Sequence, residues 1–274
     1  MVLALGTSVA YGTSNFLGPL LGRRHSVATV LLVGQLAALV GAVALVLGSD
    51  EQAPSGHAIL LGGIAGTGNI LGLAAFYRAA TLTSVSVVSA IGGGVGTAIP
   101  VLYGLVTGEA LTALQACGIV VAMVGGILAA QSSEHAIVTA RGVGFALVSA
   151  IGFGLFLIML PKAAASGTAW ALLDARIAVV VLLIAGMAVL GLRWEAPGRA
   201  RLPLMTVPGL LLLGGTLMYA EATQRGLLSV VAVLASLATV VTAGLAFAIS
   251  GERLSRVQRV GVGVATVGIV LLAL

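Results

Sequence analysis

Apolar residues run along this chain in blocks about as long as a bilayer crossing, which takes about 20 predominantly apolar residues, and short polar or charged clusters separate the blocks. Ten blocks fit, near positions 2–21, 27–47, 58–77, 84–106, 111–130, 143–160, 169–192, 204–220, 227–249 and 257–274. Each predicts a helix, because a segment in hydrocarbon must satisfy its own backbone hydrogen bonds. Almost nothing is left over for a soluble domain. No basic segment precedes the first block, and Tyr11 to Asn15 interrupts its apolar stretch, so it reads as a retained helix rather than a cleaved signal peptide.

One segment occurs twice. Gly108 to Ala130 and Gly251 to Ala273 both read G-E-x-L-x-x-x-Q-x-x-G-x-x-V-A-x-V-G-x-x-L-x-A, 143 residues apart. Each copy closes one half of the chain, so each half holds five crossings. Five is odd, and the second half must start from the opposite face of the membrane. The expected fold is therefore an all-α membrane protein of ten transmembrane helices in two inverted five-helix repeats, residues 1–130 and 141–274. Inverted repeats of this kind commonly build alternating-access carriers with the substrate near the midplane.

Composition agrees with this placement. Mean hydropathy is +1.19 and 8% of residues are charged, against about 25% in a soluble domain. Most of the 39 glycines sit inside the apolar blocks, with Gly62/Gly66, Gly68/Gly72 and Gly92/Gly96 at the four-residue spacing that lets helices approach closely. Cys117 is alone and reads as a small packing residue. A net charge of +5 would suggest nucleic acid in a soluble chain; here the basic residues sort by loop instead. Ten of the 13 lie on one side, two (Lys162 and Arg225) on the other, and Arg176 inside a block. The positive-inside rule makes the arginine-rich side cytoplasmic and puts both termini outside.

Tyr77-Arg78-Ala79-Ala80, Pro100, the two G-E-x-L-[S/T] junctions and the opening Tyr11-Gly12 with Asn15-Phe16 together resemble the EamA family of the drug/metabolite transporter superfamily. That resemblance implies two EamA repeats around a central cavity, and movement of small metabolites, often export of amino acids or related compounds. It also implies cytoplasmic termini, the reverse of the arginine count.

Arg176 is the most costly side chain in the chain. It lies roughly 12 Å into its helix at about 1.5 Å per residue, where a central arginine costs about 2.5–3.5 kcal/mol. It either receives a substrate carboxylate or phosphate, or it snorkels to the nearer interface or pairs with backbone carbonyls. Asp174 is about 200° around the same helix and is the interior candidate for proton coupling, with a partner on another helix or an interfacial position as the alternative. Tyr11, Asn15 and Asn69 join Arg176 as substrate-binding candidates, each also readable as packing or interhelical hydrogen bonding. Gln35 reads as packing.

The 143-residue offset aligns Phe76-Tyr77-Arg78 with Tyr219-Ala220-Glu221. Inversion would place them at opposite mouths, so Tyr77, Arg78, Tyr219 and Glu221 are gate candidates, against the alternative of an interfacial aromatic belt. Glu109 and Glu252 stand just before Thr112 and Ser255 and read as helix-start structure. Gly92, Gly94 and Pro100 weaken the fourth block, while its counterpart carries Ala235 and Ser236 and no proline, so bending is expected there unless those glycines serve close packing.

An intramembrane enzyme needs a nucleophile with a base, or at least two metal ligands, at membrane depth. His25, His57 and His135 are expected in loops, no G-x-S-x-G or H-E-x-x-H occurs, and Asp174 has no carboxylate companion in its helix. The expectation is a carrier in the cell membrane with no cofactor, metal or nucleic-acid partner. Its cargo would be a small polar metabolite, an amino acid or related compound able to carry negative charge. The alternative is a non-transporting receptor or assembly subunit, and the oligomeric state is left open.

Overall fold

The computed structural model describes residues 1–22, 26–83, 85–130, 139–189, 191, 202–250 and 255–273. Every regular element among them is a helix: α1 (Val2–Gly22), α2 (Val27–Leu47), α3 (Gly56–Leu82), α4 (Val85–Val106), α5 (Ala113–Ala130), α6 (Ala140–Ala164), α7 (Thr168–Val189), α8 (Leu202–Thr223), α9 (Leu228–Ser236), α10 (Ala238–Ser250) and α11 (Arg256–Ala273). Each apolar block holds one helix except the ninth, which is divided in two. Among the described residues, seven segments are long and apolar enough to cross a membrane. At 21 residues α1 has the length, but Thr7, Ser8, Tyr11, Thr13, Ser14 and Asn15 lower its hydropathy. Helix α3 overruns its block at both ends, taking in His57 in its first turn and Arg78 near its last.

The repeated motif explains itself at the starts of α5 and α11. Thr112 N–H donates to Gln115 Oε1 at 3.0 Å, and Gln115 N–H donates to Thr112 Oγ1 at 3.1 Å. Ser255 and Gln258 make the same reciprocal pair at 2.9 and 3.1 Å. Both are capping boxes, each satisfying two helix-start N–H groups.

Lipid tails are as apolar as leucine, so helices here must be held by close packing and interhelical hydrogen bonds rather than by apolar burial. The second part of the motif supplies the packing. Gly118 faces Leu272, Ala122 faces Gly268, Gly125 faces Ala265 and Ala129 faces Gly261, so α5 and α11 cross antiparallel. Exchanging the halves at the 143-residue offset turns each of these contacts into another of the same set. A Cβ on Gly125 or Gly268 would strike the backbone of Ala265 or Ala122. Two other antiparallel pairs are related in the same way: α6 packs on α3 and α1 on α8. Ser149 Oγ donates to the carbonyl of Gly72 at 2.8 Å, and Thr7 Oγ1 to that of Gly215 at 3.2 Å. Helix α2 packs on α8 through Gly34 and Gly209, and α7 on α3 through Ala175 and Gly66.

The fourth block and its counterpart differ in helix continuity. Helix α4 is continuous through Gly92, Gly94 and the buried Pro100, and the interruption falls in its counterpart, between Ser236 and Ala238. Side-chain hydroxyls there compete for helix carbonyls: Ser236 Oγ donates to Val233 O at 2.8 Å and Thr239 Oγ1 to Ser236 O at 3.2 Å. The backbone tightens to three-residue steps at the break, with Leu237 N–H on Leu234 O and Val240 N–H on Leu237 O. Thr242 Oγ1 lies 2.9 Å from Gly12 O, which fastens the start of α10 to α1.

Candidate substrate site

Four helices converge on Arg176. Its side chain is 3% exposed. One guanidinium nitrogen, Nη1, donates to Gln35 Oε1 on α2 at 3.0 Å, and the other, Nη2, donates to Thr216 Oγ1 at 2.9 Å and Leu212 O at 3.4 Å, both on α8. Tyr11 on α1 completes the group, its Oη 3.1 Å from Thr216 Oγ1. The Tyr11 ring lies against Gly215, where any side chain would collide with it. Every partner is electrically neutral. Among the described residues the ion pair found is Arg225 with Glu221, at 2.8 Å, so the Arg176 charge is dispersed over amide, hydroxyl and carbonyl dipoles.

Of the sequence candidates, the structure brings Tyr11 and Arg176 together and adds Gln35, which read as packing, and Thr216, which was not singled out. The signal for both was available: an intramembrane guanidinium needs acceptors, and Gln35 and Thr216 are polar side chains inside apolar blocks. Asn15 is exposed on α1 and Asn69 half-buried on α3; neither enters the hydrogen bonds of Arg176. Asp174 points away, its Cβ close to Gly62 of α3. Its Oδ2 is fully buried and has no hydrogen-bond partner among the described residues.

A second cluster joins the halves on the arginine-poor side. Glu51, just before α3, accepts from the N–H groups of Ala169 at 3.0 Å and Trp170 at 3.4 Å, at the start of α7. Glu109 accepts from Leu228 N–H at 2.6 Å, Ser229 N–H at 3.1 Å and Ser229 Oγ at 2.5 Å, at the start of α9. A carboxylate at a helix N-terminus meets unpaired N–H groups and the positive end of the dipole. Glu109 therefore serves a helix start, as its sequence position suggested, but that of α9 rather than of the adjacent α5. The equivalent Glu252 lies outside the described residues. Lys162 stacks over Tyr103 at 4.7 Å from the ring centroid.

The gate candidates fare differently from one another. Tyr219 is wholly buried and donates its hydroxyl hydrogen to Leu157 O at 2.9 Å. Glu221 accepts from Thr168 Oγ1 at 2.9 Å and from Arg225. Arg78 is exposed, and the side chain of Tyr77 lies outside the described residues. Among the described residues no three His, Cys, Asp or Glu side chains gather as a metal site would require.

Residues 140–274 match the EamA-like transporter family. Through this half, the chain belongs to the EamA-like transporter family. The EamA half begins at the first residue of α6 and takes in α7, which carries Arg176, and α8, which carries Thr216. A solved crystal structure, described only as that of a protein, superposes on the chain with a TM-score of 0.77 at 13% identity, covering 99% of this chain and 96% of that one. At that identity the likeness speaks for the fold alone. No curated protein matches. This EamA protein is thus a helical, transporter-like membrane protein.

Proposed function

We propose that this EamA protein is a carrier of the cell membrane, built of ten crossings in two inverted five-helix repeats. It moves a small polar metabolite, an amino acid or related compound presenting a negative group, outward by alternating access. The observation that carries the proposal is the buried Arg176 guanidinium, which among the described residues is hydrogen-bonded to neutral groups alone. An uncompensated charge at membrane depth is costly and marks a substrate or ion pathway, and an anionic group on the substrate supplies the compensation.

Inversion is supported by the antiparallel α5–α11 crossing, whose contacts map onto themselves when the halves are exchanged. Alternating access is supported by the broken block α9–α10 beside Gly12, one residue from Tyr11, since discontinuous helices line the sites of inverted-repeat carriers. The caps of Glu51 and Glu109 span the halves at the arginine-poor mouth and must part when that mouth opens. We assign the opposite gate to the Tyr77–Arg78 end, and proton coupling to Asp174, whose Oδ2, without a hydrogen-bond partner among the described residues, offers a place for a proton. Outward direction follows from the family resemblance.

Counterflow in proteoliposomes with a mixed pool of amino acids, other organic acids, sugars and nucleotides, read by mass spectrometry, tests the proposal. The expected result is exchange of an anionic or zwitterionic species by the wild type and none by Arg176→Ala. Absence of flux across the whole pool would sink the carrier reading.

A further inference from the structure

The hydrogens in the Arg176 cluster can be counted, and the count says what each group has left to offer a ligand. This inference rests on the reading of the cluster as the substrate site. Thr216 has one hydroxyl hydrogen and two lone pairs. Its Oγ1 is 2.6 Å from Leu212 O and 3.1 Å from Tyr11 Oη, so the hydrogen goes to the carbonyl, as a threonine in a helix commonly directs it. The same oxygen accepts from Arg176 Nη2 at 2.9 Å. Tyr11 is then bound to an oxygen with no hydrogen left to give, and it must donate its own O–H. What remains on Tyr11 is acceptor capacity only.

On the other side of Thr216 the polarity is opposite. Arg176 has five N–H groups and no acceptor. Gln35 uses its oxygen to receive Arg176 Nη1 at 3.0 Å, which leaves its NH₂ group as donor. The cluster therefore presents donors at Arg176 and Gln35 and a lone acceptor at Tyr11. Both Arg176 Nη2 and Tyr11 Oη contact the same Thr216 oxygen, so they stand within roughly 6 Å of each other. That spacing fits an anionic group with a hydrogen-bond donor on the adjacent carbon.

We propose that Tyr11 is a specificity-determining residue that accepts a hydrogen bond from an ammonium or hydroxyl group next to the carboxylate bound by Arg176 and Gln35. Acids carrying that donor bind; acids with a carbonyl there meet acceptor against acceptor and are rejected, and acids with nothing there lose the contact. Thr216 enforces this by consuming the tyrosine hydrogen.

The test is thermal stabilisation of the full-length protein in detergent by α-amino, α-hydroxy, α-oxo and unsubstituted acids on the alanine, leucine and aspartate skeletons. In at least one skeleton the amino or hydroxy acid is expected to bind about tenfold or more tightly than the oxo and unsubstituted acids, the effect of leaving a buried polar group unmatched. Tyr11→Phe, which keeps the ring against Gly215, is expected to bring the four acids within about twofold of one another. Thr216→Val frees the tyrosine hydrogen and is expected to shift preference toward the oxo acid. This variant keeps the test open should Tyr11→Phe fail to fold. Equal wild-type affinity for all four acids, or undiminished discrimination in Tyr11→Phe, overturns the role of Tyr11 while leaving Arg176 as the anion site. Binding of none of the acids overturns the anionic-substrate reading along with it.

Discussion

Two sets of positions related by the 143-residue offset have taken opposite courses. Tyr11, Gln35, Arg176 and Thr216 form a hydrogen-bonded cluster, whereas their counterparts Gly154, Ala178, Val33 and Leu73 are all apolar. The α5 and α11 copies, by contrast, keep the same capping box and the same small-residue contact. Duplication has been retained where the halves hold each other and lost around Arg176, where each half contributes two side chains to one cluster. Within the copies a single contrast stands out: exposed Ala113 and Ala116 of α5 correspond to exposed Arg256 and Arg259 of α11. Arginine in the first turn opposes the helix dipole, so helix stability does not account for the change. A start on the arginine-rich side, which the positive-inside rule expects to be cytoplasmic, is the alternative that labelling of Arg256→Cys tests.

The contrast between site and scaffold is broken most severely at Arg176. Losing two charge-assisted hydrogen bonds at about 1.5–3 kcal/mol each predicts a fall in flux on the order of a hundredfold or more for Arg176→Ala. The same truncation at the counterpart, Val33→Ala, should leave flux per folded molecule within about twofold, because its cost is one of packing. Wild-type flux in Arg176→Ala would remove it from the site. Inversion is tested next, with Ala113→Cys and Arg256→Cys in a Cys117→Ala background. A membrane-impermeant thiol reagent should reach the first from one face of the bilayer and the second only from the other; labelling of both from one face would end the inverted-repeat reading.

Smaller effects address the scaffold itself. Gly125→Leu and Gly268→Leu should each lower stability by about 1–3 kcal/mol through overpacking, with matching drops in melting temperature in detergent. Damage from only one of the two would break the equivalence of the copies. Glu109→Ala leaves the N–H groups of Leu228 and Ser229 without their carboxylate, at about 1–3 kcal/mol, and hydrogen exchange at those two amides should accelerate. Unchanged protection would show that the cap does not hold α9. The smallest changes belong to Gln115→Ala and Gln258→Ala, each expected to cost about 0.5–1 kcal/mol in the same melting assay and to do so equally.

The blocks, the duplication and the cost of Arg176 were legible in the sequence because each depends on local composition or exact repetition. The break at Ser236 was not, since intrinsic propensity points to Gly92, Gly94 and Pro100 as the weak places. Packing keeps α4 continuous, with Pro100 buried and Gly94 beside Ile127, while hydroxyls from Ser236 and Thr239 interrupt its counterpart. Gln35 reads from sequence as packing for a related reason. A glutamine among apolar residues gives no sign of its partner, and the distance from Gln35 to Arg176 along the chain is bridged only when α2 lies against α7. Glu109 shows the same limit from the other side: its role at a helix start could be read, but not which helix, because α9 is brought to it by the fold.

The α5–α11 crossing also has a bearing on synthesis. A ribosome adding about 5–20 residues per second takes roughly 7–30 s to pass from one copy of the motif to the next. For that time the Gly118–Gly125 stripe of α5 is in the membrane without the helix that will cover it. A neighbouring unfinished chain is no substitute: inserted in the same direction, its α5 lies parallel, and the contact requires an antiparallel partner. The stripe thus meets its matching surface only when α11 of the same chain brings Ala265 and Gly268 against it.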